Sequence, residues 1–106
     1  MLDVAEIKEL LAGGRYELSR HALRRIVERN LSSDMIEQAG GSAELIEDYP
    51  DDKYAPSCLL LGYTREGMPL HLQVCRGATR TVKIITLYVP DPAKWSDDYR
   101  TRRAQS

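Results

Sequence analysis

Residues 58–89 read CLLLGYTREGMPLHLQVCRGATRTVKIITLYV, three apolar runs separated by two short polar segments. Runs of this length that are rich in aliphatic and β-branched residues predict strands at residues 58–64, 69–76 and 81–89. Short connections that contain Gly join neighbouring antiparallel strands. The stretch therefore predicts a three-stranded meander with an apolar face that the rest of the chain must cover.

The two turns set the register of this meander. If the first turn is centred on residues 66–67, Leu61 faces Leu72, and a second turn at 77–79 makes Leu72 face Ile84. A one-residue slip would separate these apolar pairs, so this register is favoured. Seven apolar side chains then share the face beneath the helices: Leu59, Leu61, Leu70, Leu72, Val74, Val82 and Ile84.

The same register defines an open face of the sheet. Cys58 lies opposite Cys75, and we expect two adjacent free thiols. His71, Gln73 and Lys83 form a polar set on this face, with a glycine leaving room beside His71. Such a set is either a second candidate site or the solvated side of the sheet.

The remaining chain is interpreted mainly as helical. Apolar spacing and capping residues predict helices at residues 3–12, 19–31 and 34–39. Residues 43–49 fit a strand or a helix, and residues 91–103 predict a C-terminal helix that an Asp caps and a Pro starts. The predicted fold class is α+β, with N-terminal helices packed on one face of a three- to four-stranded antiparallel meander and a C-terminal helix.

Length, charge and cysteine content limit the classes of function that the sequence suggests. The chain has 106 residues, which predicts a single domain over residues 1–106, and its formal net charge is -1. That charge gives no overall attraction to nucleic acid, so any anion site must be local. There is no membrane-spanning apolar run and no signal-peptide pattern, which predicts a cytoplasmic protein without membrane contact. The two cysteines lack metal-site spacing, and no cofactor or metal is expected.

The segment SRHALRRIVERN, residues 19–30, gathers one histidine and four arginines. His21 falls in the first turn of the predicted helix, where the macrodipole favours the neutral imidazole that a general base requires. Arg25 and Arg29 follow one and two turns later on the same face. A base beside guanidinium groups suits a phosphodiester, whose developing charge the arginines would stabilise. The alternative is a solvated helix face.

The last predicted strand supplies two further candidates. In the register above, Thr86 and Tyr88 point to the helix-covered side near the end of the strand, where they could meet His21. The alternative is that Thr86 fills the rim of the core and the Tyr88 hydroxyl reaches water.

Three blocks in order give the chain a family resemblance. HALRRIVERNL resembles the helix signature of the bacterial domain-of-unknown-function family DUF4258, in which a His is followed four and eight residues later by Arg, and Asn30 stands where that family generally has Gly. KIITLYVPDPAKW resembles the family's terminal strand, and LLLGYTREGMPLHLQV is similar to its middle hairpin. The resemblance covers residues 16–102.

The family's layout looks like that of the ribonuclease toxins of bacterial toxin–antitoxin pairs, the RelE and BrnT types. This resemblance implies metal-independent RNA cleavage, with RNA and an antitoxin-like protein as partners. His21 would be the acid or base, Tyr88 would orient or donate a proton, and Thr86 would complete the site. Arg25, Arg29 and Lys83 would bind phosphate. The alternative function is a non-catalytic interaction or accessory domain, or an inactivated toxin relative.

Overall fold

The computed structural model describes residues 2–53, 55–77 and 81–104. Within these ranges the fold is α+β, with three helices and a five-stranded mixed sheet in the order β1-β5-β4-β3-β2. The elements are α1 (Val4–Ala12), β1 (Tyr16–Leu18), α2 (Arg20–Arg29), α3 (Ser33–Gly41), β2 (Glu44–Tyr49), β3 (Ser57–Tyr63), β4 (Pro69–Cys75) and β5 (Val82–Tyr88). In the described part of the chain, every helix is too short or too polar to cross a bilayer.

The N-terminal helices bury one face of the sheet. This core joins helix residues to alternate strand residues: Ile7, Leu11, Ala22, Ile36, Cys58, Leu60, Leu70, Leu72, Val74, Val82, Ile84 and Leu87. Gly62 shows how closely α3 packs on β3, because a Cβ at this position would lie 1.9 Å from the Ala39 carbonyl oxygen. Gly62 therefore faces α3, and the prediction that it leaves room beside His71 on the open face is wrong.

The sheet is not purely antiparallel. Residues 16–18, for which the sequence predicts no strand, form an edge strand that pairs parallel to β5, with Tyr16 opposite Val82 and Leu18 opposite Ile84. Three residues are too few to show an alternating pattern, so the sequence gives no signal for this strand.

The predicted register of the first hairpin is wrong by one residue. Leu60, not Leu61, lies opposite Leu72. The connection has three residues, 65–67, rather than two: the Thr64 amide donates to the Met68 carbonyl at 2.9 Å, and Gly67 has φ 88°. A three-residue connection with glycine in the left-handed region is a common hairpin turn.

This shift moves two predicted core residues to the other side of the sheet. Leu59 and Leu61 lie opposite Gln73 and His71. Both leucines are still buried, at 2% and 1% exposure. They lie on the side of the sheet away from the helices, here called the second face, and this face is also covered.

A β-bulge shifts the register of the second hairpin. Val74 pairs with Ile84, but Gln73 pairs with Thr86, so Ile85 is the extra residue. Leu72 consequently faces Leu87, and the predicted pair with Ile84 is wrong by three positions. Two of these are already present at Val74, and the bulge adds the third. The bulge turns the end of β5 over, so the predicted placement of Thr86 and Tyr88 beneath the helices is also wrong. Tyr88 lies opposite His71 on the second face.

The two cysteines are not cross-strand partners. Cys75 lies opposite Ser57, and Cys58 lies opposite Val74 on the helix-covered face. The predicted adjacency is therefore wrong, since consecutive register positions point to opposite faces. Both are free thiols, and burial raises the pKa of Cys58 to about 11.

The predicted C-terminal helix does not form. Residues 90–104, here called the C-terminal strap, make turns and a single β-bridge between Trp95 and Arg102. Local hydrogen bonds compete with a helix: the Ser96 hydroxyl donates to Asp98, and Asp98 accepts from the Arg100 amide. Tyr99 has a left-handed φ of 62°, which a helix cannot contain. The strap covers the second face of the sheet.

Candidate functional site

An open cleft of about 600 Å³ lies between α2 and the C-terminal strap, here called the basic cleft. Its lining combines two helix residues, the end of β5 and the strap: Arg25, Arg29, Tyr88, Val89, Pro90, Asp91, Pro92, Lys94, Trp95 and Arg102. Four of these side chains carry positive charge and one is a carboxylate. The excess of cations gives the cleft a local positive potential, which favours anions over cations.

Helix α2 contributes two guanidinium groups that make few contacts with the rest of the protein. Arg25 makes one long contact with Glu28, at 3.9 Å between exposed side chains, which contributes little to stability. In the described ranges, Arg29 makes no ion pair or side-chain hydrogen bond. Both groups are therefore available to bind a ligand.

The strap wall is held in place by an ion pair. Arg102 Nε donates to Glu47 Oε2 at 3.0 Å, and the Arg102 guanidinium lies 4.7 Å from the centre of the Trp95 ring. Burial alone would raise the pKa of Glu47, but hydrogen bonds from Arg102 and Tyr49 lower it. Arg102 therefore fixes the wall, whereas the described part of the chain offers no carboxylate partner to Lys94.

A buried histidine, His71, contacts Tyr88, one of the residues that line the cleft. His71 is 0% exposed. Its Nδ1 is 3.2 Å from the Tyr88 hydroxyl, and its Nε2 is 2.8 Å from the Tyr99 carbonyl oxygen. The Trp95 ring meets the imidazole edge-on, with ring centres 4.3 Å apart. Burial lowers the pKa of His71 and raises that of Tyr88, so both are neutral near pH 7.

His21 lies outside this constellation. It is exposed, it does not line the cleft, and its side chain makes no hydrogen bond to another residue of the described ranges. The predicted proximity to Tyr88 or Thr86 is wrong. The reason is the position of α2: Ser19 bonds the carbonyl oxygens of Ile84 and Ile85, so the helix begins beside the middle of β5 and only its second half reaches the strand end.

The other predicted site residues are dispersed. Thr86 lies opposite Gln73 on the second face, half-buried, and does not line the cleft. Lys83 is exposed at the start of β5, five residues before Tyr88, which is roughly 16 Å along a strand. Of the predicted set, the structure brings together Arg25, Arg29 and Tyr88.

Sequence reasoning missed the strap's contribution. The predicted C-terminal helix contains Lys94, Trp95 and Arg102, and the sequence gives none of them a role in the site. The signal was present in PDPAKW, because two prolines directly after a strand favour an irregular segment that returns over the sheet. Within the described ranges, no group of three or more His, Cys, Asp or Glu side chains is arranged to hold a metal ion.

The model of the domain-of-unknown-function family DUF4258 matches residues 18–89, which is more than half of the chain. The chain belongs to the DUF4258 family. Searches of curated proteins and of solved structures found no significant match. The DUF4258 match includes Arg25, Arg29, His71 and Tyr88, and it ends before the C-terminal strap.

Asn30 occupies a backbone conformation at the end of α2 that few residue types adopt readily. Asn30 ends α2 with φ 56° and ψ 38°, in the left-handed region. After Gly, Asn is the residue that most readily adopts this conformation at a helix C-terminus. Asn30 therefore suits the turn that follows α2.

Proposed function

We propose that this DUF4258 domain is a metal-independent ribonuclease of the toxin type, and that the basic cleft is its active site. One observation carries the proposal: Arg25, Arg29, Lys94 and Arg102 line a single cleft with Tyr88. Clustered cations bind phosphate, and they stabilise the additional negative charge of a pentacovalent phosphorus without a metal ion. A net charge of -1 does not oppose this, because the attraction is local.

The proposed reaction is an internal transesterification. Arg25, Arg29 and Lys94 bind the phosphate, and Tyr88 contacts the adjoining ribose. The ribose 2′ oxygen attacks phosphorus as its proton leaves to water, and the bond to the 5′ oxygen breaks. The 5′ oxygen takes a proton from water, so the products are a 2′,3′-cyclic phosphate and a 5′ hydroxyl. In this proposal His21 has no catalytic part.

The test is RNA cleavage in the presence of EDTA by three proteins. We expect the wild type to cleave a fluorescent RNA and Arg25→Ala/Arg29→Ala to be slower by about 10²-fold or more, because charge stabilisation in the transition state is lost. Arg20→Ala/Arg24→Ala is the matched control. It removes the same charge from the same helix, but neither arginine lines the cleft. Equal loss in both double variants would contradict the proposal.

A second candidate is a non-catalytic interaction domain. It is favoured by Leu23 and Val27, which are one helical turn apart on α2 and 53% and 74% exposed. By helical periodicity they lie on the other side of α2 from Arg25 and Arg29. Exposed apolar residues of this size, with Arg20 and Arg24 on the same side of the helix, suit an acidic amphipathic segment of a partner.

Site-specific crosslinking tests this candidate in cells. A photoreactive residue in place of Val27 should give a discrete adduct, and the same residue in place of the fully exposed Asp97 should not. The adduct should persist when the cleft variants Arg25→Ala/Arg29→Ala are added. Absence of an adduct at position 27 would contradict an interaction surface there.

A further inference from the structure

We infer that the Tyr88 hydroxyl oxygen accepts a hydrogen bond from a ribose 2′-hydroxyl. The reason is that the Tyr88 hydroxyl donates its own hydrogen to His71 rather than to a ligand in the basic cleft. Tyr88 would thus act as a hydrogen-bond acceptor for the ligand and select ribose over deoxyribose. The nucleic-acid ligand rests on the proposed function. The direction of the hydrogen bond does not, since it follows from the surroundings of His71.

The Tyr99 carbonyl oxygen decides that direction. A carbonyl can only accept, so His71 Nε2, at 2.8 Å, must carry the hydrogen and donate it. A neutral imidazole has one N–H, which leaves Nδ1 as an acceptor. The Tyr88 hydroxyl, 3.2 Å from Nδ1, therefore donates to His71. Within the described ranges the Tyr88 oxygen accepts no hydrogen bond, and Tyr88 lines the cleft.

The groups around His71 preserve this neutral state. The charged neighbours are Glu47 from β2 and Arg102 from the strap, and they act on the imidazole with opposite sign. They are also bound to each other, at 3.0 Å. Tyr88 from β5 is uncharged near neutral pH, and Trp95 contributes only the edge contact of its ring. Burial therefore dominates, and it disfavours the imidazolium.

Most polar side chains of the cleft are hydrogen-bond donors, so the acceptor oxygen of Tyr88 is an exception among them. Arg25, Arg29 and Lys94 have only donors. Asp91 is the other side-chain acceptor of the lining; its Oδ1 accepts from the Ala93 amide at 2.9 Å, and its negative charge repels a phosphate. A ligand that fits must present an anion to the cations and a hydroxyl donor to Tyr88. A ribose 2′-hydroxyl next to a phosphodiester presents both.

Binding of three nucleic acids tests the inference. Fluorescence anisotropy with rapid mixing would compare a short RNA, its 2′-O-methyl analogue and DNA of the same sequence. We expect the wild type to bind RNA about five- to tenfold more tightly than the other two, as one hydrogen bond allows. Tyr88→Phe should bind all three within about twofold. Asp91→Asn should keep the preference. A preference that survives in Tyr88→Phe and disappears in Asp91→Asn would overturn the inference.

Nitrogen NMR tests the hydrogen-bond direction without nucleic acid. The chain has two histidines, so histidine labelled with ¹⁵N gives two sets of signals, and a His21→Gln variant assigns them. For His71 we expect a protonated Nε2 and an unprotonated Nδ1 at pH 7.5. A protonated Nδ1 would overturn the inference whether or not the protein cleaves RNA.

The two proposals can fail separately. Selective RNA binding without cleavage would overturn the ribonuclease and leave the role of Tyr88 in place. Cleavage with equal binding of RNA, 2′-O-methyl RNA and DNA would overturn the role of Tyr88 and leave the ribonuclease in place.

Discussion

Arg102 binds Glu47 at 3.0 Å and thereby attaches the C-terminal strap to β2, at the edge of the sheet. The contact uses both guanidinium Nε and Nη2, and it is reinforced by Tyr49, whose hydroxyl donates to the same carboxylate. Since the strap forms one wall of the basic cleft, this pair links the far edge of the sheet to the candidate site.

We predict that Glu47→Gln loosens the strap more than it destabilises the fold. The pair is partly exposed, so its loss should lower the free energy of unfolding by about 1 kcal/mol or less. Trp95 is the single tryptophan and is 3% exposed, so its fluorescence reports the strap directly. Acrylamide quenching should increase in Glu47→Gln. Asp97→Asn, which removes an ion pair of a fully exposed carboxylate, is the control and should leave quenching unchanged.

Gly62→Ala should destabilise the protein by about 2–4 kcal/mol, because the new Cβ overlaps the backbone of α3 and the core cannot yield without separating helix from sheet. Gly41→Ala is the matched control. A Cβ there would meet Ala12 at an ordinary 3.5 Å, and the helix should be unchanged or slightly more stable. Urea unfolding of both variants measures the difference. Equal stability of the two would contradict the close packing of α3 on β3.

The stability of the fold should fall with acid through His71. Its pKa in the folded protein is below the ordinary value of 6.5, so the unfolded chain binds the proton more readily. Its contribution is fully present above about pH 6.5 and is lost as the pH falls through the folded pKa. Melting temperatures between pH 8 and 5 would measure this. His71→Gln should show a weaker acid dependence than the wild type, whereas a variant of the exposed His21 should keep it.

Asn30→Val should cost about 1–2 kcal/mol, because a β-branched residue is strained at φ 56°. Asn30→Gly should be as stable as the wild type or slightly more so, since Gly adopts this conformation freely. Thermal unfolding of both variants distinguishes them. If Val were tolerated as well as Gly, the left-handed end of α2 would be contradicted.

The sequence predicted the elements better than their register. The strands of the meander and the three N-terminal helices were identified from periodicity and caps. The run Leu59-Leu60-Leu61 is apolar at every position, so it fits either phase of a strand, and the choice depended on the turn. Gly67 was the clue to a three-residue connection. The bulge at Ile85 follows Ile84 directly, and two adjacent isoleucines do not indicate which of them faces the core.

The candidate site was predicted only in part, because helical spacing could be read from the sequence and strand register could not. Arg25 and Arg29 follow from helical spacing, and that spacing holds whatever lies beside the helix. The partner of Tyr88 depended on the strand phase, so the wrong phase joined Tyr88 to His21 instead of His71. Arg102 reaches the cleft only because the strap folds back over the sheet, which is a tertiary arrangement that local patterns do not specify.

The most direct measurement of the central claim is the chemistry of the RNA ends. Purified protein is incubated with RNA in excess EDTA, and the fragments are analysed by mass spectrometry. We predict fragments that end in a 2′,3′-cyclic phosphate for the wild type and for Arg20→Ala/Arg24→Ala, and intact RNA for Arg25→Ala/Arg29→Ala over the same time. Intact RNA with the wild type, or fragments at the same rate from the Arg25→Ala/Arg29→Ala variant, would contradict the assignment of the basic cleft as a ribonuclease site.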